Sequence, residues 1–250
     1  MNESNKDGQQ QPRPPLHAPP VHTMGLGHLP LTFLVTVAIS GLFALAFELG
    51  TSAPIGALAL LVLLIVFSAI GPKPDTGVRT AGTRFTVARV ALTCLLGGLA
   101  IIPAGDVPDP LLWSLAIAGT AAAGLEATDD WLARITDSAS GFSERLGQMT
   151  AALLVLALSI LVWRLGIAGI WVIIAGIVGF GERALQARSP GKPQAEWRVW
   201  SELAVRLALA GALIPVLPAP AGPALAGLAV LVALGQAGYA RLGKPAGPTE

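Results

Sequence analysis

The chain has 250 residues, of which 53% are hydrophobic and 12% charged, where a soluble domain carries about 25% charged residues. With a mean hydropathy of +0.67 it has too little polar surface to stay dissolved, so it belongs in a bilayer. A net charge of +1 argues against a nucleic-acid partner, because phosphate binding needs clustered Lys and Arg. The single cysteine, Cys94, excludes an intrachain disulfide and a cysteine-based metal site.

Residues 1–29 are polar and proline-rich, without the charged start and immediate apolar run of a secretory signal. They read as a disordered or polyproline-like cytoplasmic tail. His17, His22 and His28 fall in it at irregular spacing, which makes metal binding the minor reading for them.

Spanning a hydrocarbon core takes about 20 apolar helical residues, with a range of roughly 17–25. Runs compatible with that length occur near 30–49, 54–71, 86–104, 110–127, 145–163, 166–183, 202–217 and 221–240. Pro54, Pro110 and Pro220 stand at or just before helix starts, where a missing amide hydrogen does no harm. Small residues recur on the fourth run (Gly119, Ala123, Gly124) and the sixth (Gly169, Gly176, Gly179, Gly181). In lipid they let helices approach closely, and a ligand reaching a glycine surface is the minority alternative.

Of the sixteen Lys and Arg, fifteen fall before the first run, in alternate gaps or within a few residues of them, or after the last. The remaining gaps hold only Arg164. The positive-inside rule then places both termini and the 126–145 loop in the cytoplasm. The expected location is a bacterial-type inner (plasma) membrane, crossed many times.

Glu126, Asp129 and Asp130 stand at i, i+3 and i+4 near the end of the fourth run, on one helical face. Three carboxylates there repel one another and oppose the helix dipole unless something neutralises them. A hard divalent ion such as Mg²⁺ or Mn²⁺ would do so, keeping positions open for water or phosphate. A charged helix end exposed to cytoplasm is the alternative. Arg134, one turn beyond Asp130, can pair with a carboxylate or receive a phosphate bidentately. The next run offers Glu144 at its rim, then Gly147, Gln148, Thr150 and Ala151, with no acid inside.

The segment 125–163, LEATDDWLARITDSASGFSERLGQMTAALLVLALSILVW, resembles the signature of the CDP-alcohol phosphatidyltransferase family. That signature reads D-x-x-D-G-x-x-A-R, about eight residues, then G-x-x-x-D-x-x-x-D. Glu126 stands for its first Asp, Asp129 for its second, and Ala133 with Arg134 for the A-R pair. Upstream, RFTVAR puts Thr86 and Arg89 on the T-x-x-R of the family's first core helix.

The resemblance implies an all-α, polytopic membrane helical bundle. It would have a six-helix core over 80–243, preceded by two added helices over 30–72 and followed by a tail over 244–250. It implies transfer of a phosphatidyl group from a CDP-linked lipid to an alcohol, with release of CMP, in phospholipid biosynthesis. Membrane lipids are the surroundings, and a homodimer is the family habit. Thr86, Arg89 and Arg134 would bind the donor. Glu126 and Asp129 would hold Mg²⁺ or Mn²⁺, with Asp130 and Glu144 as further candidates.

The chain departs from the signature where the chemistry is done. The Gly after the second Asp is Asp130, the later Gly is Ser143, and the third and fourth Asp fall on Gly147 and Ala151. The fourth Asp is the family's base, so the base position is Ala151, and Asp130 and Glu144 are the candidates to replace it. A three-residue shift brings Glu144 onto the third position and Gln148 onto the fourth. General-base help contributes about 10²–10⁴ in rate. Two readings therefore compete: an enzyme with a rearranged site, and an inactive relative that binds lipid, nucleotide or a partner. An unrelated transporter component is the third. It is opposed by the scarcity of ionisable residues deep in the runs, with Arg206 read as snorkelling to the surface.

Overall fold

A computed structural model describes residues 29–69, 83–101, 107–136, 141–187 and 196–242. Among them are eight α-helices and no strand. The helices are α1 (Leu29–Ala46), α2 (Ser52–Ala69), α3 (Thr83–Ile101), α4 (Asp109–Thr136), α5 (Gly141–Arg164), α6 (Ile173–Ala187), α7 (Glu196–Ala212) and α8 (Ala221–Leu242). The tail with His17, His22 and His28, the basic gap after the second run with Lys73 and Arg79, and residues 243–250 lie outside the described residues.

Three segments are long and apolar enough to cross a membrane: Asp109–Thr128 in α4, Leu146–Arg164 in α5 and Ala221–Tyr239 in α8. Shorter apolar stretches cover Pro30–Ala46, Ser52–Ser68 and Phe85–Ile101. Large apolar side chains such as Leu34, Leu45, Ile55, Ile117, Ile177 and Leu231 are exposed on many helices. That much apolar surface is at home against lipid.

The helices differ from the apolar runs in instructive ways. α4 continues past 127 through the polar stretch to Thr136, because TDDWLARIT has no Gly or Pro and holds Leu132, Ala133 and Arg134, all strong helix formers. At 28 residues it is about 42 Å long, more than a hydrocarbon core about 30 Å thick. The sixth run instead begins as a turn. Gly166, at φ +70°, closes α5: its N–H donates to Trp163 O at 2.9 Å and that of Ile167 to Val162 O at 3.1 Å. These are the paired bonds of a left-handed helix stop. A short 3₁₀ turn, Ile170–Val172, then leads into α6.

α5 lies at the centre, touching α2, α3, α4, α6 and α7. Leu95 and Leu96 of α3, Leu154 and Leu158 of α5, Leu209 of α7 and Leu213 just after it are fully buried in the core. α2 packs most extensively on α3, and α4 packs on α3 and α7 far more than on α5. That last preference aims the end of α4 at α7.

Candidate functional site: a buried ionic network at one end of the bundle

α7 carries Arg198, Glu202 and Arg206 at four-residue intervals, so all three project along one face. α6 brings Glu182 and Arg183 to that face, and α4 brings Glu126. Arg206 Nη2 donates to Glu126 Oε1 at 2.8 Å and lies 3.5 Å from Glu202 Oε2. Arg198 Nη2 donates to Glu182 Oε2 at 2.6 Å, while its Nε reaches Glu202 Oε1 at 3.3 Å. Arg183 also pairs with Glu202. From α8, Gln236 Nε2 donates to Ser201 Oγ at 2.5 Å.

Glu126, Glu182 and Glu202 thus face Arg183, Arg198 and Arg206, and the six formal charges cancel. Such compensation is the condition for keeping charges away from water, since one unpaired buried ion costs several kcal/mol. Glu126 and Arg206 are each 4% exposed.

Beside the network is a small cavity of about 30 Å³. Glu182, Arg183, Glu202, Arg206 and Gln236 form its polar wall, and small residues including Ala151 and Gly179 form the rest. Three buried polar atoms here have no hydrogen-bond partner among the described residues: Glu126 Oε2, Glu182 Oε1 and Arg206 Nε.

The residues expected to form a site are distributed as follows. Glu126 is buried and turned to α7. Asp129, Asp130 and Arg134 continue on the helical backbone of α4, and Glu144 lies on that of α5; the side chains of these four lie outside the described residues. Thr86 and Arg89 on α3 are buried, Arg89 to 1% exposure. Arg89 reaches α5, where its Nη2 lies 2.9 Å from the place a Cβ on Gly147 would occupy. The third acid position of the resembling motif therefore abuts a guanidinium, and the fourth, Ala151, lines the cavity. Arg206 does not snorkel: its pairing with Glu126 holds it inside the bundle.

Among the described residues no three His, Cys, Asp or Glu side chains gather as a metal site. Glu126 Oε2, buried and without a hydrogen-bond partner among the described residues, is an oxygen of the kind a hard divalent cation takes. The small-residue reading divides. Gly119 and Gly176 lie where a Cβ would meet Leu158 and Ala210, or Leu156, while Gly124 and Gly181 have nothing within 4 Å.

Glu182, Arg183, Glu202 and Gln236 were not expected here. The charged three had a signal, R-x-x-x-E-x-x-x-R on α7 and an E-R pair late in an apolar helix, whereas Gln236 had none. Ionisable residues bordering apolar runs are functional or structural partners more often than bystanders. No family model, curated protein or solved structure matches the chain.

Proposed function

We infer that this chain is an integral membrane protein of the CDP-alcohol phosphatidyltransferase type, transferring a phosphatidyl group from a CDP-linked lipid to an alcohol and releasing CMP. The supporting observation is Glu126: the residue at the motif's first acid is drawn into the bundle, yet keeps one buried oxygen without a hydrogen-bond partner. Glu126 and Asp129, with Asp130 or Glu144, would hold Mg²⁺ or Mn²⁺, which supplies charge neutralisation at the donor's pyrophosphate. Arg134, Thr86 and Arg89 would serve donor binding. We assign the protein to a bacterial-type inner membrane, with both termini cytoplasmic and two N-terminal helices added to a six-helix core. A homodimer is the proposed assembly.

The test is CMP release by the purified full chain in detergent, from CDP-diacylglycerol with a panel of alcohols and Mg²⁺ or Mn²⁺. Release should depend on the metal and disappear in Glu126→Ala plus Asp129→Ala. Release that survives in the double variant refutes the assigned ligands.

Two observations favour a second reading, that of an inactive relative. Gly147 and Ala151 supply no carboxylate, and Arg206 already takes Glu126 Oε1. Binding of CDP-diacylglycerol with no CMP from any alcohol would select it.

A further inference from the structure

Glu126 is held differently from the other acids of the network. Glu182 and Glu202 pair with arginines of α6 and α7. Glu126 instead reaches across from α4 to Arg206, its one ion pair among the described residues, at 2.8 Å. In that position it is 4% exposed. A small divalent cation such as Mg²⁺ dehydrates reluctantly, so it does not enter beside a carboxylate so enclosed. The carboxylate has to turn away from Arg206 first.

Both members of the pair have an alternative. The same Arg206 Nη2 lies 3.5 Å from Glu202 Oε2, one turn back on α7, where residues at i and i+4 are neighbours. A side-chain shift alone brings the two to bonding distance, so Arg206 is not left as an unpaired buried charge when Glu126 departs, the outcome that makes breaking such a pair strongly unfavourable. On the other side, α4 continues as helix to Thr136, and the acids Asp129 and Asp130 stand on its next turn. The contact can therefore exchange without dismantling the crossed pairs between α6 and α7.

We propose that Arg206 is a built-in competitor for Glu126: it holds the carboxylate inside the bundle, and a divalent cation binds only by taking Glu126 from it while Arg206 falls back on Glu202. The proposal rests on the reading that makes Glu126 a metal ligand. The resting state is the closed pair, because the three acids and three arginines of the network already cancel. A ligand that binds only the turned-out state has its apparent affinity lowered by the small fraction of chains in that state. Cation affinity is then set by an arginine on α7 as much as by the acids on α4. A pair that served stability alone would leave cation binding unchanged when its arginine is removed.

The test is Mn²⁺ binding by the purified full chain in detergent, read as loss of the free ion's paramagnetic resonance signal. Arg206→Met should bind Mn²⁺ at least about ten-fold more tightly than the unmodified chain, inside the roughly 5–150-fold range of coupled equilibria. Glu126→Leu combined with Arg206→Met should lose that gain. Arg206→Gln, whose amide can still donate to Glu126, is the variant to use if the Met form does not fold, and the same gain is expected of it. Equal or weaker binding by the Arg206 variants overturns the proposal. So does a gain that survives the loss of Glu126, or the absence of binding in every form. CMP release from CDP-diacylglycerol keeps the transferase reading apart. If Arg206→Met gains affinity through Glu126 while neither protein releases CMP with any alcohol, that reading fails and the competition stands. Metal-dependent CMP release by both, with no gain in affinity, leaves the reading standing and overturns the competition.

Discussion

A guanidinium at 4% exposure is tolerable only because Glu126 lies 2.8 Å away and Glu202 is close behind. Replacing a buried pair by apolar groups is often neutral, whereas removing one partner strands the other and costs about 3–5 kcal/mol. Arg206→Met should therefore destabilise the protein by about that amount, while Glu126→Leu combined with Arg206→Met should restore most of it. Unfolding in detergent, monitored by helical circular dichroism, reads both. A loss below about 1 kcal/mol in the single variant would show that Glu126 finds another cation. Glu126 itself stood out in the sequence as part of an acidic face. Its partner did not, because helical spacing relates residues within one helix and is silent about which helix comes alongside. For the same reason Arg206 looked like a side chain free to snorkel, and the proximity of Arg89 to Gly147 was invisible.

Helices were more legible than contacts. Each of the eight apolar runs overlaps one helix, and three of those helices are long and apolar enough to cross a membrane, where a backbone must satisfy its own hydrogen bonds. Boundaries failed where hydropathy and helix formation part company. The polar end of α4 stays helical, and the apolar segment after Gly166 does not. Packing between elements turns on backbone approach, seen best between α2 and α3. A Cβ on Gly98 would lie 2.5 Å from Ala57 N and 2.8 Å from Ala53 O, against helical backbone that has no rotamer to yield. Gly98→Ala should separate the two helices at a cost of about 1–3 kcal/mol, the range for overpacking. Gly124→Ala is the control, since nothing lies within 4 Å of its Cβ and alanine is favoured in a helix by about 1 kcal/mol. Thermal unfolding should fall in the first variant and hold or rise in the second. The reverse order would mean that α2 and α3 are held less closely than described.

The whole molecule has two unlike ends. Trp197 and Tyr239 meet edge to face, with ring centroids 4.9 Å apart, at the start of α7 and the end of α8; exposed Trp200 is close by. Trp113, Trp163 and Trp171 are partly exposed where α4 begins, α5 ends and α6 is about to begin. Amphipathic rings at both ends of a bundle suit the two interfaces of a bilayer. Charge distinguishes the ends: Arg183, Arg198 and Arg206 lie at the first, Arg164 at the second. The basic gaps of the sequence follow the same division, so the proposed orientation has the α4–α5 connection in the cytoplasm and the α3–α4 connection outside. Single cysteines test it, introduced as Asp106→Cys or Asp137→Cys in a chain whose own thiol is removed by Cys94→Ala; Cys94 is fully buried. In intact cells a membrane-impermeant maleimide should label position 106, and position 137 should react only after the membrane is opened. Labelling of 137 from outside, or protection of 106 until lysis, would invert the topology. The Glu126 end would then face away from the compartment that supplies cytidine nucleotides, and the transferase reading would fall with it.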